Sequence, residues 1–390
     1  MRSRLASLVA SILAALTEPS AALAQDDPLL RMLRSGDALA AEAAPIDESE
    51  AGQQSRAMFL AMTGRELEAI ETFSPFVTST RPAGMAVDPA AEYRNALDEI
   101  ARRAVDHRII VINEGHHLEQ NRWFLHALVE RLYPLGYTAL TLEALFSMGD
   151  GYPFTGPVNH DSGPLMSSPS LAAASDRMIS LGGRVYPHES TREQIAAGLD
   201  REQAQAENVA AVFYGNPDAK FIVFVGFDHV DEAGHMMAGR LEALTGEDPL
   251  TVDQVDSAVL NRSCERPDYP YATIALLSGE TLPLGTSRTV DLVVQHPPTC
   301  GVEGRPGWLE TQFGKTWISL AGETLPVNRP LLIEAWTADP GAPATGVPAD
   351  RVVVTGEFVP ALALFGGAYH ITLRTAAGES AFPLVVSTSD

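Results

Sequence analysis

Apolar and polar positions follow two different periods along this chain, and the change of period marks its organisation. DDPLLRMLRSGDALAAEAAP and GQQSRAMFLAMTGRELEAIETF have spaced apolar residues and few breakers, so each is predicted as helical. STRPAGMAVDPA reads as a Pro/Gly linker, and AEYRNALDEIARRAVDH is helical again. RIIVI, Arg108 to Ile112, is short, β-branched and apolar, as a strand buried in a parallel sheet must be. In EQNRWFLHALVERLYPLG, Phe124, Leu128 and Leu132 share a helical stripe that stops at Gly136. YTALTLE, RVYPHE and KFIVFVG repeat the strand pattern. Between and after them run a helix from near Arg201 to about Phe213 and the helical segment DEAGHMMAGRLEAL. Ser190 with Glu193, and Asp200 with Gln203, have the spacing of helix N-caps.

This alternation predicts an α/β fold, a mainly parallel sheet core flanked by helices, with functional side chains beyond the carboxyl ends of the strands. From about Thr289 the pattern changes. TVDLVVQH, LLIEAWTA, RVVVTGEF and YHITLRT read as short strands between turn-rich segments, a C-terminal β-rich module or an extension of the main sheet. The expected divisions are a signal segment at 1–24, a helical region at 25–90, the α/β core at 91–285 and the β-rich part at 286–390. DGYPFTGPVNHDSGPLMSSPS reads as a long loop that gates a cleft or crosses the surface.

Composition narrows the partners. The opening MRSRLASLVASILAALTEPSAALAQDD places Arg2 and Arg4 before an apolar run and Ala22-Leu23-Ala24 before a polar stretch, the layout of a secretory signal cleaved after Ala24. The expected location is therefore periplasmic or secreted. Thr17 to Ser20 interrupt the apolar run, and no later segment is apolar for the length of a bilayer, so no transmembrane anchor is expected. With 27 Lys+Arg against 50 Asp+Glu, a formal charge of -23, the chain repels nucleic acid and anionic membranes. Its only two cysteines, Cys264 and Cys300, lack zinc-site spacing and are expected to form a disulfide in an oxidising compartment. Oligomeric state is not legible in the sequence.

Three segments carry the candidate chemistry. INEGHHLEQNRWF puts Glu114, His116 and His117 just past the RIIVI strand, where imidazole can take a proton and a carboxylate can orient it or share a cation. The bland reading is a polar turn bonded to its own backbone. DREQAQAENV places Arg201, Gln205 and Asn208 near one helical face, with Glu202 in the first turn; the bland reading is a structural salt bridge. VGFDHVDEAG puts His229 beyond the most apolar strand, with Asp228 beside it. Glu143 ends YTALTLE and needs a partner if buried; His188 in YPHES is a further candidate. The sequence lacks HExxH, GxSxG and GxxxxGK[ST] motifs.

At these residues the chain resembles the superfamily of erythromycin-esterase-like and haem-uptake ChaN-like proteins, and more distantly the TIKI/TraB group. The resemblance spans roughly Ile109 to Leu244. NEGHH resembles a Gly-Glu-x-x-His strand-end motif, with Asn113 in place of glycine; YTALTLE marks Glu143; REQAQAENV resembles Arg-Asp-x-x-Met-Ala-x-Asn, with Glu202 for Asp and Gln205 for Met; VGFDH marks His229. It implies a catalytic set of Glu114, His117, Glu143, Arg201 and His229 acting on an ester, a lactone or a peptide. In one version His117 is the general base oriented by Glu114. In another, Glu114, His117 and His229 hold a divalent metal that activates water. A third version is a haem or small-ligand binding protein with an axial histidine or tyrosine.

Overall fold

The structure, a computed structural model, describes residues 27–388 apart from 74–89, 147–152, 155, 256–270, 283–285, 287, 321–322, 324 and 339–345. The expected signal segment, most of the linker over 79–90 and the Cys264 half of the expected disulfide lie outside the described residues.

Four helices open the described chain: α1 (Pro28–Arg34), α2 (Ala38–Ala43), α3 (Glu50–Met62) and α4 (Glu66–Phe73). Each of the first two predicted helical segments is thus a pair. Gly36 and Gly64 divide them with φ of 78° and 75°, a backbone state that ends a helix and suits glycine. β1 (Glu92–Asn95) then leads into α5 (Ala96–Arg103) and the central sheet.

That sheet comprises β2 (Ile109–Glu114), β3 (Tyr137–Leu142), β4 (Arg184–Pro187), β5 (Lys220–Gly226), β6 (Leu250–Asp253) and β9 (Leu292–Val293). Their order is β4-β3-β5-β2-β6-β9, and every neighbouring pair is parallel. Alternation sorts the side chains into two layers. Ile110, Ile112, Ile222 and Phe224 face one core, with Phe124, Leu128 and Leu132 of α6 (Glu119–Leu132) and Leu171 and Met178 of α7 (Pro169–Ser180). Ile109, Val111, Phe221, Val223 and Val225 face the other, with Val209 and Phe213 of α9 (Arg201–Gly215) and Leu241 of α10 (Met237–Thr245). The short α8 (Arg192–Ala196) precedes α9. Helices on both faces leave these strands no wet side, which is why they read as unbroken apolar runs. Truncating a central residue such as Ile112 to Ala costs about 2–5 kcal/mol.

Local capping differs by one residue from the sequence reading. The box closes between Thr191 and Gln194, not Ser190 and Glu193, whereas Asp200 caps α9 through the Gln203 N–H as read. DEAGHMMAGRLEAL is helical only from Met237, because Asp231 accepts from the Ala233 N–H in a turn.

The later chain divides its strands. β9 joins the edge of the parallel sheet beside β6, while β7 (Thr273–Leu277) pairs with β1 and with β8 (Glu280–Thr281). β10 (Gly301–Val302) and β11 (Arg305–Pro306) form a hairpin before α11 (Trp308–Thr311). β12 (Thr316–Ile318) pairs with β15 (Leu362–Leu364). β13 (Leu331–Thr337), β14 (Asp350–Val354), β16 (Gly367–Thr375) and β17 (Gly378–Thr388) form a separate antiparallel sheet in the order β14-β13-β16-β17. No described helix is long and apolar enough to cross a membrane.

Candidate functional site

β2 and β5 lie side by side at the centre of the sheet, with Glu114 registered opposite Gly226. The chain leaves β2 toward α6 on one face and leaves β5 toward α10 on the other. This divergence makes a topological switch point at the carboxyl ends, the usual seat of function in such sheets.

Glu114 is buried at that point, and its carboxylate is fully engaged. Arg122 grips it with Nε to Oε2 at 2.6 Å and Nη2 to Oε1 at 3.1 Å, while His116 Nδ1 lies 2.9 Å from Oε1. Burial pushes the Glu114 carboxyl up, but Arg122 and His116 outweigh it and hold the group below its ordinary value. An ionised carboxylate only accepts, so the His116 proton sits on Nδ1 and is donated to Glu114. The ring's Nε2 side lies against Gly226: a Cβ there would stand 2.7 Å from His116 Cε1, 2.9 Å from Nε2 and 3.3 Å from Glu143 Oε2. Phe227, with φ of 30°, places its ring edge-on to His116 at 5.1 Å.

His117, the predicted base, is placed differently. It is buried against Phe73 at 5.0 Å, and its Nδ1 has no hydrogen-bond partner among the described residues. Burial, reinforced by His116 and Arg122, pulls it down to about 3, so it stays neutral. The turn hands the Glu114 contact to His116 instead, which two adjacent histidines in a sequence cannot reveal.

On the other side of Gly226, Arg201 binds three groups. Nη2 reaches Glu143 Oε1 at 2.5 Å and Glu189 Oε2 at 2.7 Å, Nε reaches Glu189 Oε1 at 3.2 Å, and Nη1 lies 2.7 Å from His229 Nε2. Glu143 also accepts the Gly226 N–H at 2.7 Å. Burial raises Glu143, yet Arg201, His229, His116 and that N–H together hold it well below the carboxylate range. His229 Nδ1 stands 2.7 Å from Glu202 Oε1. Burial lowers His229, but Glu143 and Glu202 outweigh it and raise the ring. The Arg201 contact opposes that pull, because a guanidinium donates only and needs a lone pair on Nε2. The geometry therefore defines a neutral His229 with its proton on Nδ1 toward Glu202.

Other expected residues divide. Gln205 donates to Glu189 Oε2 at 3.1 Å, and Asn208 donates to the carbonyls of His188 and Glu189, so both brace the β4 loop. His188 is fully buried among Glu143, His229 and Arg201, neither ring nitrogen has a partner among the described residues, and burial lowers it to about 3. Asp228 stands apart: it is exposed and paired with Arg288. Sequence reading overlooked Glu189, the carboxylate next to His188, and the buried pair Arg122 and Glu119. The signal for Arg122 was its place in the first turn of α6, directly after the strand-end loop.

The expected metal set does not fit this arrangement. Both Glu114 oxygens serve Arg122 and His116, both His229 nitrogens serve Glu202 and Arg201, and among the described residues no three His, Cys, Asp or Glu side chains are grouped to hold a metal ion. A haem iron likewise needs an accessible nitrogen, and those of His117 and His188 without partners are enclosed. An open depression of about 450 Å³ lies at the opposite, amino ends of β3 to β5, lined by Thr138, Arg184 and Asn216, away from this chemistry. No family model matches the chain, and no curated protein or solved structure matches it.

Proposed function

We propose that the chain is a water-activating hydrolase of the erythromycin-esterase-like and ChaN-like kind, acting outside the cytoplasm on an ester, a lactone or a peptide. The observation that carries this reading is the Glu114–His116 pair at the carboxyl ends of β2 and β5, beside Glu143. Glu114 orients the His116 imidazole, which accepts a proton from water as it attacks the carbonyl. His116, not His117, is the base. Arg201, held in place by the Glu202-oriented His229, provides positive charge where negative charge develops on the carbonyl oxygen. His116 then returns the proton to the leaving group.

The test is a screen of the purified full chain against aryl esters, lactones and peptides, with His116→Ala beside it. Turnover lost in His116→Ala supports the reading, and turnover retained there removes His116 as base. The second reading, small-ligand binding, is favoured by the two ring nitrogens of His188 that lack partners inside the cluster. Saturable binding by calorimetry with no product in any substrate class would select it.

A further inference from the structure

Arg122 makes no contact with solvent, although it carries a permanent charge. Its contacts run in two directions. Toward the end of β2 it forks onto both oxygens of Glu114 and donates from Nη2 to the His116 carbonyl at 3.0 Å. Away from it, Nη1 donates to Glu119 Oε1 at 2.7 Å. Glu119 in turn accepts from Ser168 Oγ at 2.9 Å and from Ser170 Oγ, hydroxyls at the cap and first turn of α7. A continuous buried chain thus runs from the α7 N-terminus through Glu119, Arg122 and Glu114 to His116.

A pin between β2, α6 and α7 would not need charge. Apolar side chains of similar volume fasten buried elements at least as well, because burying an ion pair forfeits its hydration. What an apolar pin cannot do is fix the charge state of a neighbouring carboxylate. Three of the contacts of Arg122 go to the two residues of the Glu114–His116 pair, and its remaining one goes to a carboxylate that balances it.

We propose that Arg122 and Glu119 are positioning residues, a buried guanidinium–carboxylate relay that sets the orientation and proton affinity of the Glu114–His116 pair. This rests on the reading of that pair as the proton-handling centre. The relay acts from behind. From α6 come Arg122 and Glu119; from the β2 loop, His117; from the end of β3, Glu143; from α9, Arg201; and from the turn after β5, His229. Lys315 and Glu66 face the far end, at Glu119. Of these, Arg122 alone bonds Glu114 through its side chain besides His116.

The charges predict opposite signs for two substitutions. Removing the cation in Arg122→Met makes the pair take up its proton at higher pH, whichever of its atoms holds it. Removing the distal anion in Glu119→Gln leaves Arg122 less compensated, so uptake moves to lower pH. Arg122→Lys keeps the charge but loses the fork, so the midpoint stays while the His116 Nδ1–H tautomer is no longer enforced.

The experiment is ring ¹⁵N NMR of the full chain labelled at histidine, following His116 against pH in wild type and the three variants, with thermal unfolding to confirm folding. The expected result is an upward shift of about one pH unit or more in Arg122→Met and a downward shift in Glu119→Gln. Should Arg122→Met not fold, Glu119→Gln and Arg122→Lys carry the test. A His116 midpoint unmoved in folded Glu119→Gln, or an unchanged tautomer in Arg122→Lys, overturns the proposal. None of these readouts uses turnover, so shifts of the expected sign in a protein without hydrolytic activity would sink the hydrolase reading and leave the relay standing.

Discussion

The choice between adjacent imidazoles is where residue-scale physics decides the chemistry. His116 bonds Glu114, whereas burial leaves His117 neutral against Phe73. Once a substrate is found, His116→Ala should lower kcat by about 100-fold or more, the usual worth of a general base. His117→Ala should leave the chemical rate within about threefold of wild type, because His117 makes no bond to Glu114. Steady-state kinetics on both folded variants checks the pair, and the reverse ranking would restore His117 as base. His188 yields a stability prediction. Each buried polar atom without a partner costs about 1–3 kcal/mol, so His188→Phe, of similar shape and with no nitrogen to satisfy, should unfold no earlier than wild type in urea. A loss above about 2 kcal/mol would mean that its nitrogens are satisfied in the working protein. Glu114, Glu143, Arg201 and His229 were legible in the sequence because each sits at, or caps the approach to, the end of a recognisable element. The His116 contact was not legible, since it depends on the rotation of one turn. Glu189 was hidden by the more conspicuous His188 beside it.

At the scale of elements, the parallel strands were legible because burial on both faces leaves no polar position to break the run. Their neighbours in the sheet were not: nothing in KFIVFVG says that it lies between β2 and β3, which is what brings Gly226 to His116. Gly226 has φ of -79°, so any residue suits its backbone, and only space excludes a side chain. Gly226→Ala should therefore push His116 away from Glu143 and lower turnover by about tenfold or more, because catalysis tolerates little misplacement. Overpacking should cost about 1–3 kcal/mol of stability besides. Wild-type kinetics in a folded Gly226→Ala protein would show that the ring does not need this approach. The helix breaks at Gly36 and Gly64 escaped a reading by apolar spacing alone, because the apolar period resumes after each with little interruption. The final β17, a tail strand of mixed residues, gave no alternation strong enough to announce itself.

The whole molecule joins its distant ends. Arg305 lies buried between Asp350 of β14 and Glu66 of α4, the Val353 N–H donates to the Thr63 carbonyl, and Arg374 donates to the carbonyl of Gly36. The antiparallel sheet is thereby fastened to the N-terminal helices, a contact between segments far apart in sequence that no local pattern signals. Asp350→Ala removes the two-oxygen partner of Arg305, leaving it Glu66 alone for charge, and should cost about 3–5 kcal/mol in urea unfolding; a loss under about 1 kcal/mol would mean that the two parts are held by apolar packing. Buried bases make stability depend on pH across the molecule. Burial holds His117, His188 and His296 at about 3 in the folded chain against an ordinary 6.5, so between those values the unfolded chain binds more protons and stability falls as the solution is acidified. Lys315 extends the effect upward. Its ammonium lies 3.5 Å from the Trp123 ring centre and donates to the Ala363 carbonyl, yet burial lowers it to about 7 from 10.5. Stability from this group should rise with pH between those two values, and the buried Tyr137 hydroxyl, raised by desolvation, should reverse the trend above the ordinary tyrosine value of 10. Urea midpoints measured from pH 5 to 10 should therefore climb through neutrality even as the acidic chain gains negative charge. In Lys315→Met the climb above pH 7 should flatten, because the group that titrates there is gone; a variant that keeps the full alkaline rise would assign it to other residues.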